Sequence, residues 1–166
     1  MKKIILLFAV CFVVLQAKAD DSKFMKIMGE TLMLMDSAKT PSDFIEIANK
    51  FERIASVKKE HWLPPYYASL NYCIASFMEE DNKKRDEYVD KAEELANNSE
   101  ELTKENVEIV ILQAYVTNAR LAVKPAARGR KLGPKYDGQL EVAKKMDPEN
   151  PRVFYLKGSS KFYTPA

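Results

Sequence analysis

Apolar positions recur three and four residues apart along most of the chain, and the two-residue alternation of strands is absent. This period predicts helices throughout. A first helix over about 24–38 carries Phe24, Ile27, Met28, Leu32 and Met35 on one stripe. The second opens at Thr40-Pro41-Ser42-Asp43, where Thr40 can cap, Pro41 suits the first turn and Asp43 completes a capping box. Its inward face is Phe44, Ile47, Ala48, Phe51, Ile54 and Ala55. A third helix, from HWLPPYY to about Glu80, is apolar nearly all round, as a central helix would be. The fourth, about 84–102, is amphipathic, and the fifth, about 107–123, is again apolar on most sides. A connection, KPAARGRKLGP, is expected before a sixth helix at about 135–146, and a seventh begins at Pro151.

The helices echo one another. ENVEIVI at 105–111 lies 44 residues before ENPRVFY at 149–155, and small residues recur at the same interval at Ala55, Ser99 and Ala143, and at Ala48 and Ala92. Small residues on one helix let its neighbour approach closely, as stacked helix pairs require. The expected fold is all-α: a repeat solenoid of about three helix pairs with a terminal unpaired helix.

One segment stands outside this pattern. Lys2 and Lys3 precede twelve apolar residues, Ile4 to Leu15, and Ala17-Lys18-Ala19 follows. A basic start, a short apolar run and a small-x-small site make a secretory signal peptide. A membrane span needs about 20 apolar residues. Residues 1–19 are therefore expected to be removed after Ala19, leaving 20–166 as one exported domain, periplasmic or secreted. Loss of Lys2, Lys3 and Lys18 turns 26 basic and 24 acidic residues into 23 and 24. A global attraction to nucleic acid is thereby excluded. Cys73 is the only cysteine after the signal segment, so an intramolecular disulfide is excluded too.

The junction phrases carry a resemblance. VAKKMDPENPRVFYLKG, with Ala143, Pro148, Phe154 and Gly158, resembles the end of one tetratricopeptide repeat and the start of the next. Together with FERIASVKKEHWLPPYYASL, ILQAYVTNARLAV, ARGRKLGP and NPRVFYLKGSSKFYTPA, it resembles a family of small exported bacterial tetratricopeptide-like proteins over about residues 40–166. The resemblance implies the fold and no particular ligand. It also implies a glycine-rich loop and a further helix pair beyond YTPA, so the sequence is expected to be C-terminally truncated or to end on an incomplete unit.

Catalytic chemistry finds little support. His61 is the only histidine and has no nucleophile in its neighbourhood; a general base needs one. Zinc lacks its His/Cys set. Met25, Met28, Met33 and Met35 crowd one helix, but Met28 and Met35 share its core stripe, and methionine readily fills irregular gaps. Cys73, between Tyr72 and Ile74, reads as a buried inert thiol. No enzyme activity, cofactor or metal is expected.

Two binding surfaces remain. The first helix of each pair lines the concave side of a solenoid, and Tyr67, Asn71 and Ile74 match Ile111, Tyr115 and Asn118 at the 44-residue interval. These six are the expected groove for an unidentified protein or peptide, whose backbone the two exposed amides would hydrogen-bond. The alternative is a small anionic-ligand carrier. Ile109 to Tyr136 holds no acid, and Arg128, Arg130, Lys131 and Lys135 lie in the expected 124–135 loop. That loop has a plainer reading as a partner for the acid-rich 79–108 stretch. Phe154, Tyr155, Phe162 and Tyr163 give the terminal helix an apolar face through which self-association is expected.

Overall fold

The computed structural model of the protein describes residues 21–163, with side chains through Ser159. The expected signal segment, and the side chains of Phe162 and Tyr163, lie outside the described residues. No helix among them is long and apolar enough to cross a membrane. The chain divides into two compact units at Ser37–Ala38.

In the first unit, α1 spans 21–33 and tightens into a 3₁₀ turn at Leu34–Asp36. Phe24, Met28 and Thr31 are buried, and the Thr31 hydroxyl donates to its own helix at Ile27 O, 2.8 Å away. Met25 and Met33 are exposed.

The second unit holds α2 (Pro41–Val57), α3 (Leu63–Met78), α4 (Asn82–Leu102), α5 (Val107–Val123), α6 (Pro125–Met146) and α7 (Pro151–Tyr163). Described residues are helical or in turns and connections, with no strand among them, as the periodicity predicts. Local signals set the helix starts. Thr40 forms the expected capping box, with Asp43 N–H donating to its hydroxyl (3.2 Å) and its own N–H donating to Asp43 Oδ2 (2.9 Å). Asp81 caps α4 by accepting from Lys83 and Lys84 N–H, and Asn106 caps α5 by accepting from Glu108 N–H. Each side chain satisfies donors that the first turn would otherwise leave open.

From α2 onward each helix packs on its successor, and α3 also meets α5, as α5 meets α7. Small residues sit at these crossings: Ala48, Ala92, Ser99 and Ala143 are fully buried. Close approach shows in the hydroxyl bonds that cross between helices. Ser69 on α3 donates to Ala92 O, and Ser99 on α4 donates to Trp62 O, both at 2.7 Å. Arg85 on α4 reaches the C-terminal ends of two neighbours, giving one bond to Ser76 O on α3 and one to Ala122 O on α5, each 2.9 Å. A cation there serves both carbonyl-rich ends. Ile111, Ala114, Tyr136, Leu140, Ala143, Val153 and Leu156 form one buried cluster joining α5, α6 and α7.

One expectation changes. The 124–134 connection is helical: α6 starts at Pro125 and runs through Pro134. A proline removes one helical donor, but the helix is held on both sides of it. Arg128 is anchored to α4 and α5 upstream, and Tyr136, Leu140 and Ala143 are buried downstream. The terminal helix leaves Phe154 and Tyr155 of its expected apolar face exposed and buries two other apolar residues. These are Val153 and Leu156, and Tyr136 Oη donates to Leu156 O at 2.9 Å.

Candidate functional site

A cleft of about 220 Å³ opens within the second unit among α3, α5 and α7. Its walls are Tyr66 and Leu70 from α3, Ile111, Leu112 and Tyr115 from α5, and Arg152, Tyr155 and Leu156 from α7. Seven of these eight side chains are aromatic or aliphatic, and Arg152 alone carries charge. Apolar walls with few placed polar groups are the usual make-up of a small-molecule site. The volume falls below the roughly 300–1,000 Å³ typical of pockets that enclose a ligand, so this cleft suits one edge or face of something larger.

Aromatic packing fixes the walls. Tyr66 meets Trp62 and Tyr67 edge-on, with ring centroids 5.6 and 5.1 Å apart, and Tyr67 stacks on Phe51 at 5.4 Å. Tyr115 leans on Phe77 with centroids 5.3 Å apart. Burial pushes the Tyr66 phenol up to about 12, with the Glu108 charge adding to the rise and Arg152 opposing it. Burial likewise raises Tyr115. Both phenols therefore stay protonated at neutral pH.

Beside the cleft and outside its walls, Glu108 gathers groups from the helices on either side. It accepts from Arg152 Nη1 at 2.9 Å and Asn150 Nδ2 at 3.2 Å, with Tyr66 Oη 3.5 Å away. Asn150 also accepts from the Arg152 backbone N–H at 3.0 Å, starting α7 where Glu108 holds it.

Of the six residues expected to form a groove, the structure brings Ile111 and Tyr115 to this cleft. Tyr67, Asn71, Ile74 and Asn118 are not among its walls. The expectation of an exposed amide at Asn71 is corrected. Asn71 is fully buried, and its Nδ2 donates to Tyr67 O at 2.8 Å. Asn118, Tyr67 and Ile74 are half-buried. Sequence matching missed Tyr66 and Leu70. Their counterparts 44 residues on, Val110 and Ala114, are not among the cleft walls, so spacing does not pair the α3 wall with the α5 wall. The same interval does run from Ile111 to Tyr155, Leu112 to Leu156 and Glu108 to Arg152, and this signal could have marked α7 as the third wall.

The basic segment divides. Arg128 is committed to protein: its guanidinium donates to both Asp86 oxygens, at 2.6 and 2.8 Å, and to Arg120 O at 2.9 Å. Arg130 and Lys131 are exposed and border neither cleft described here. Lys135 lines a smaller polar cleft of about 140 Å³, with Glu93, Asn97, Gln113, Thr117 and Gln139. Arg120 meanwhile pairs with Asp90 and Glu93, at 2.5 and 2.7 Å. Arg128, with Arg120 from the preceding helix, thus rests against the acidic face of α4, while Arg130 and Lys131 stay exposed.

Cys73 is fully buried, and burial raises its thiol well above the ordinary range. His61 Nε2 lies 3.5 Å from the Glu60 carboxylate and borders neither cleft. No group of three or more His, Cys, Asp or Glu side chains among the described residues is arranged to hold a metal ion.

Comparison with solved structures finds the HusA haemophore from Porphyromonas gingivalis, at a TM-score of 0.76 and 31% sequence identity. The match covers 86% of this chain and 70% of that one. The chain belongs to the HusA family. No protein-family model matches it, and no curated protein sequence does.

Proposed function

We propose that the protein is an exported, non-enzymatic carrier that holds haem, or a similar flat apolar ring bearing carboxylates, against the cleft among α3, α5 and α7. One observation carries this reading: an apolar cleft walled by three tyrosines, with a single guanidinium at its rim. Such walls favour a planar ring through stacking and apolar burial, and the guanidinium suits an acidic substituent. The cleft is too small to enclose a macrocycle, so the ring lies with one side in the groove and the other toward solvent. Membership of the HusA family supports a carrier, since that relative is a haemophore. Export rests on the signal-like residues 1–19, with 20–166 as the working part, and on the haemophore character of the relative.

This reading keeps the carrier class and moves its site. Arg128, one of the four cations of the expected anion site, is held by Asp86, and in this reading Arg152 takes over the role. The peptide groove is the weaker reading, because one of its two amides, Asn71, is buried. The repeat architecture belongs to the proposal as well. Contacts from α3 to α5 and from α5 to α7 are those expected between first helices of successive pairs, the surface on which a solenoid binds its ligands.

The test is titration of residues 20–166 with haem, followed by the absorbance change of the ring and by quenching of Trp62 fluorescence. Tyr155 is 72% exposed and lines the cleft, so its removal leaves the core intact. Tyr155→Ala should weaken binding by about three- to tenfold, the worth of one aromatic pair. Haem binding no better than to an unrelated helical protein, or full affinity in Tyr155→Ala, would refute the reading.

A further inference from the structure

We infer that Arg152 makes the cleft selective for acidic ligands, with Glu108 holding the arginine at the rim by one of its nitrogens. The inference rests on the carrier reading above and adds what the ligand must bear. Among the described residues, Arg152 is the only charged side chain in the cleft wall. Its Nη1 donates to Glu108 Oε2 at 2.9 Å, and its side chain is 61% exposed. A guanidinium has five N–H donors in a fixed fork, so one bond to Glu108 leaves donors for a second carboxylate. The position is defined from two directions. Asn150 accepts from the Arg152 backbone N–H at 3.0 Å and itself donates to Glu108 at 3.2 Å. Glu108 is only 23% exposed and does not line the cleft. The cleft therefore presents a positive group to its contents, while the negative one stands behind it.

An apolar ring resting on Tyr66, Tyr115 and Tyr155 would bring a carboxylate at its edge to the free side of this fork. The neutral ester of the same ring keeps the apolar contact and loses the charge-assisted bond. Comparison of haem with its dimethyl ester, in one co-solvent, isolates that difference. The intact protein should favour the acid by about tenfold, as one hydrogen bond between charged groups allows. Arg152→Met should abolish the preference by weakening the acid while leaving the ester unchanged, and Arg152→Lys should restore part of it. Glu108→Gln removes the negative charge but keeps a side-chain oxygen that can accept from Arg152, so the guanidinium stays in place and the preference should be kept. Equal binding of acid and ester by the intact protein overturns the inference and leaves the carrier reading standing. Survival of the preference in Arg152→Met overturns it too. Its loss in Glu108→Gln would assign the effect to the docking of α7, against the inference. If neither ring binds the intact protein, the carrier reading itself fails.

Discussion

Arg128 on α6 and Asp86 on α4, 42 residues apart in the chain, meet in a two-pronged ion pair with both N···O distances under 3 Å. Each side chain is about one-quarter exposed, and the pair ties the first half of α6 to the body of the fold. The Arg128 hydrogen bonds hold the Asp86 carboxyl below its ordinary value of 3.8. A lowered folded pKa means that the stabilisation is present above the ordinary value and disappears as pH falls through the folded one.

Arg128→Met should therefore lower unfolding free energy at neutral pH by about 1–2 kcal/mol, the range for a partly exposed, charge-assisted pair. Denaturant titrations of both proteins should show the gap narrowing as the pH is taken below 3.8. A gap that is unchanged in acid would mean the arginine stabilises through its hydrocarbon stem rather than through Asp86.

The two asparagines of the expected groove should part company. Asn71 is buried and bonded within α3, so Asn71→Ala should cost about 1–3 kcal/mol, the usual penalty for disturbing a buried polar group. Asn118 lies half-buried on α5, and its replacement by alanine should stay within about 0.5 kcal/mol. Thermal melts of the two single variants decide the matter, and equal shifts would contradict the burial pattern.

Glu105, in the turn between α4 and α5, has φ of 53°. Left-handed backbone costs a residue with a side chain roughly 1–2 kcal/mol, and glycine avoids this at the cost of a more flexible unfolded chain. Glu105→Gly should raise stability by about 0.5 kcal/mol. A melting temperature lower than that of the parent would show that the Glu105 side chain contributes more than its backbone costs.

Helix positions were legible where local chemistry writes them. The Thr40–Asp43 capping box, Pro151 at the start of α7 and the bounds of α5 follow from sequence and recur in the structure. The start of α6 was not legible, because two glycines and two prolines within residues 125–134 resemble a loop. What holds that stretch helical lies outside it: Asp86, 42 residues before Arg128, and the Arg120 carbonyl on the preceding helix. Of the site, the α5 wall was legible from repeat spacing, through Ile111 and Tyr115. The α3 wall was not, since spacing says which residues are equivalent and not which flanks face each other. Arg152 went unremarked because its meaning depends on Glu108, 44 residues upstream.

That separation bears on how the protein comes apart. Packing here joins mainly helices that follow one another in the chain, and local contacts of this sort form quickly. The Glu108 contacts to Tyr66 and Arg152 span 42 and 44 residues and need three helices already in place. Contacts of that span are expected to form after the local ones, and removing a contact made late speeds unfolding and barely slows folding. On that order Glu108 is expected to act as a brake on disassembly, so that Glu108→Ala should speed unfolding, followed by stopped-flow fluorescence, while leaving the refolding rate nearly unchanged.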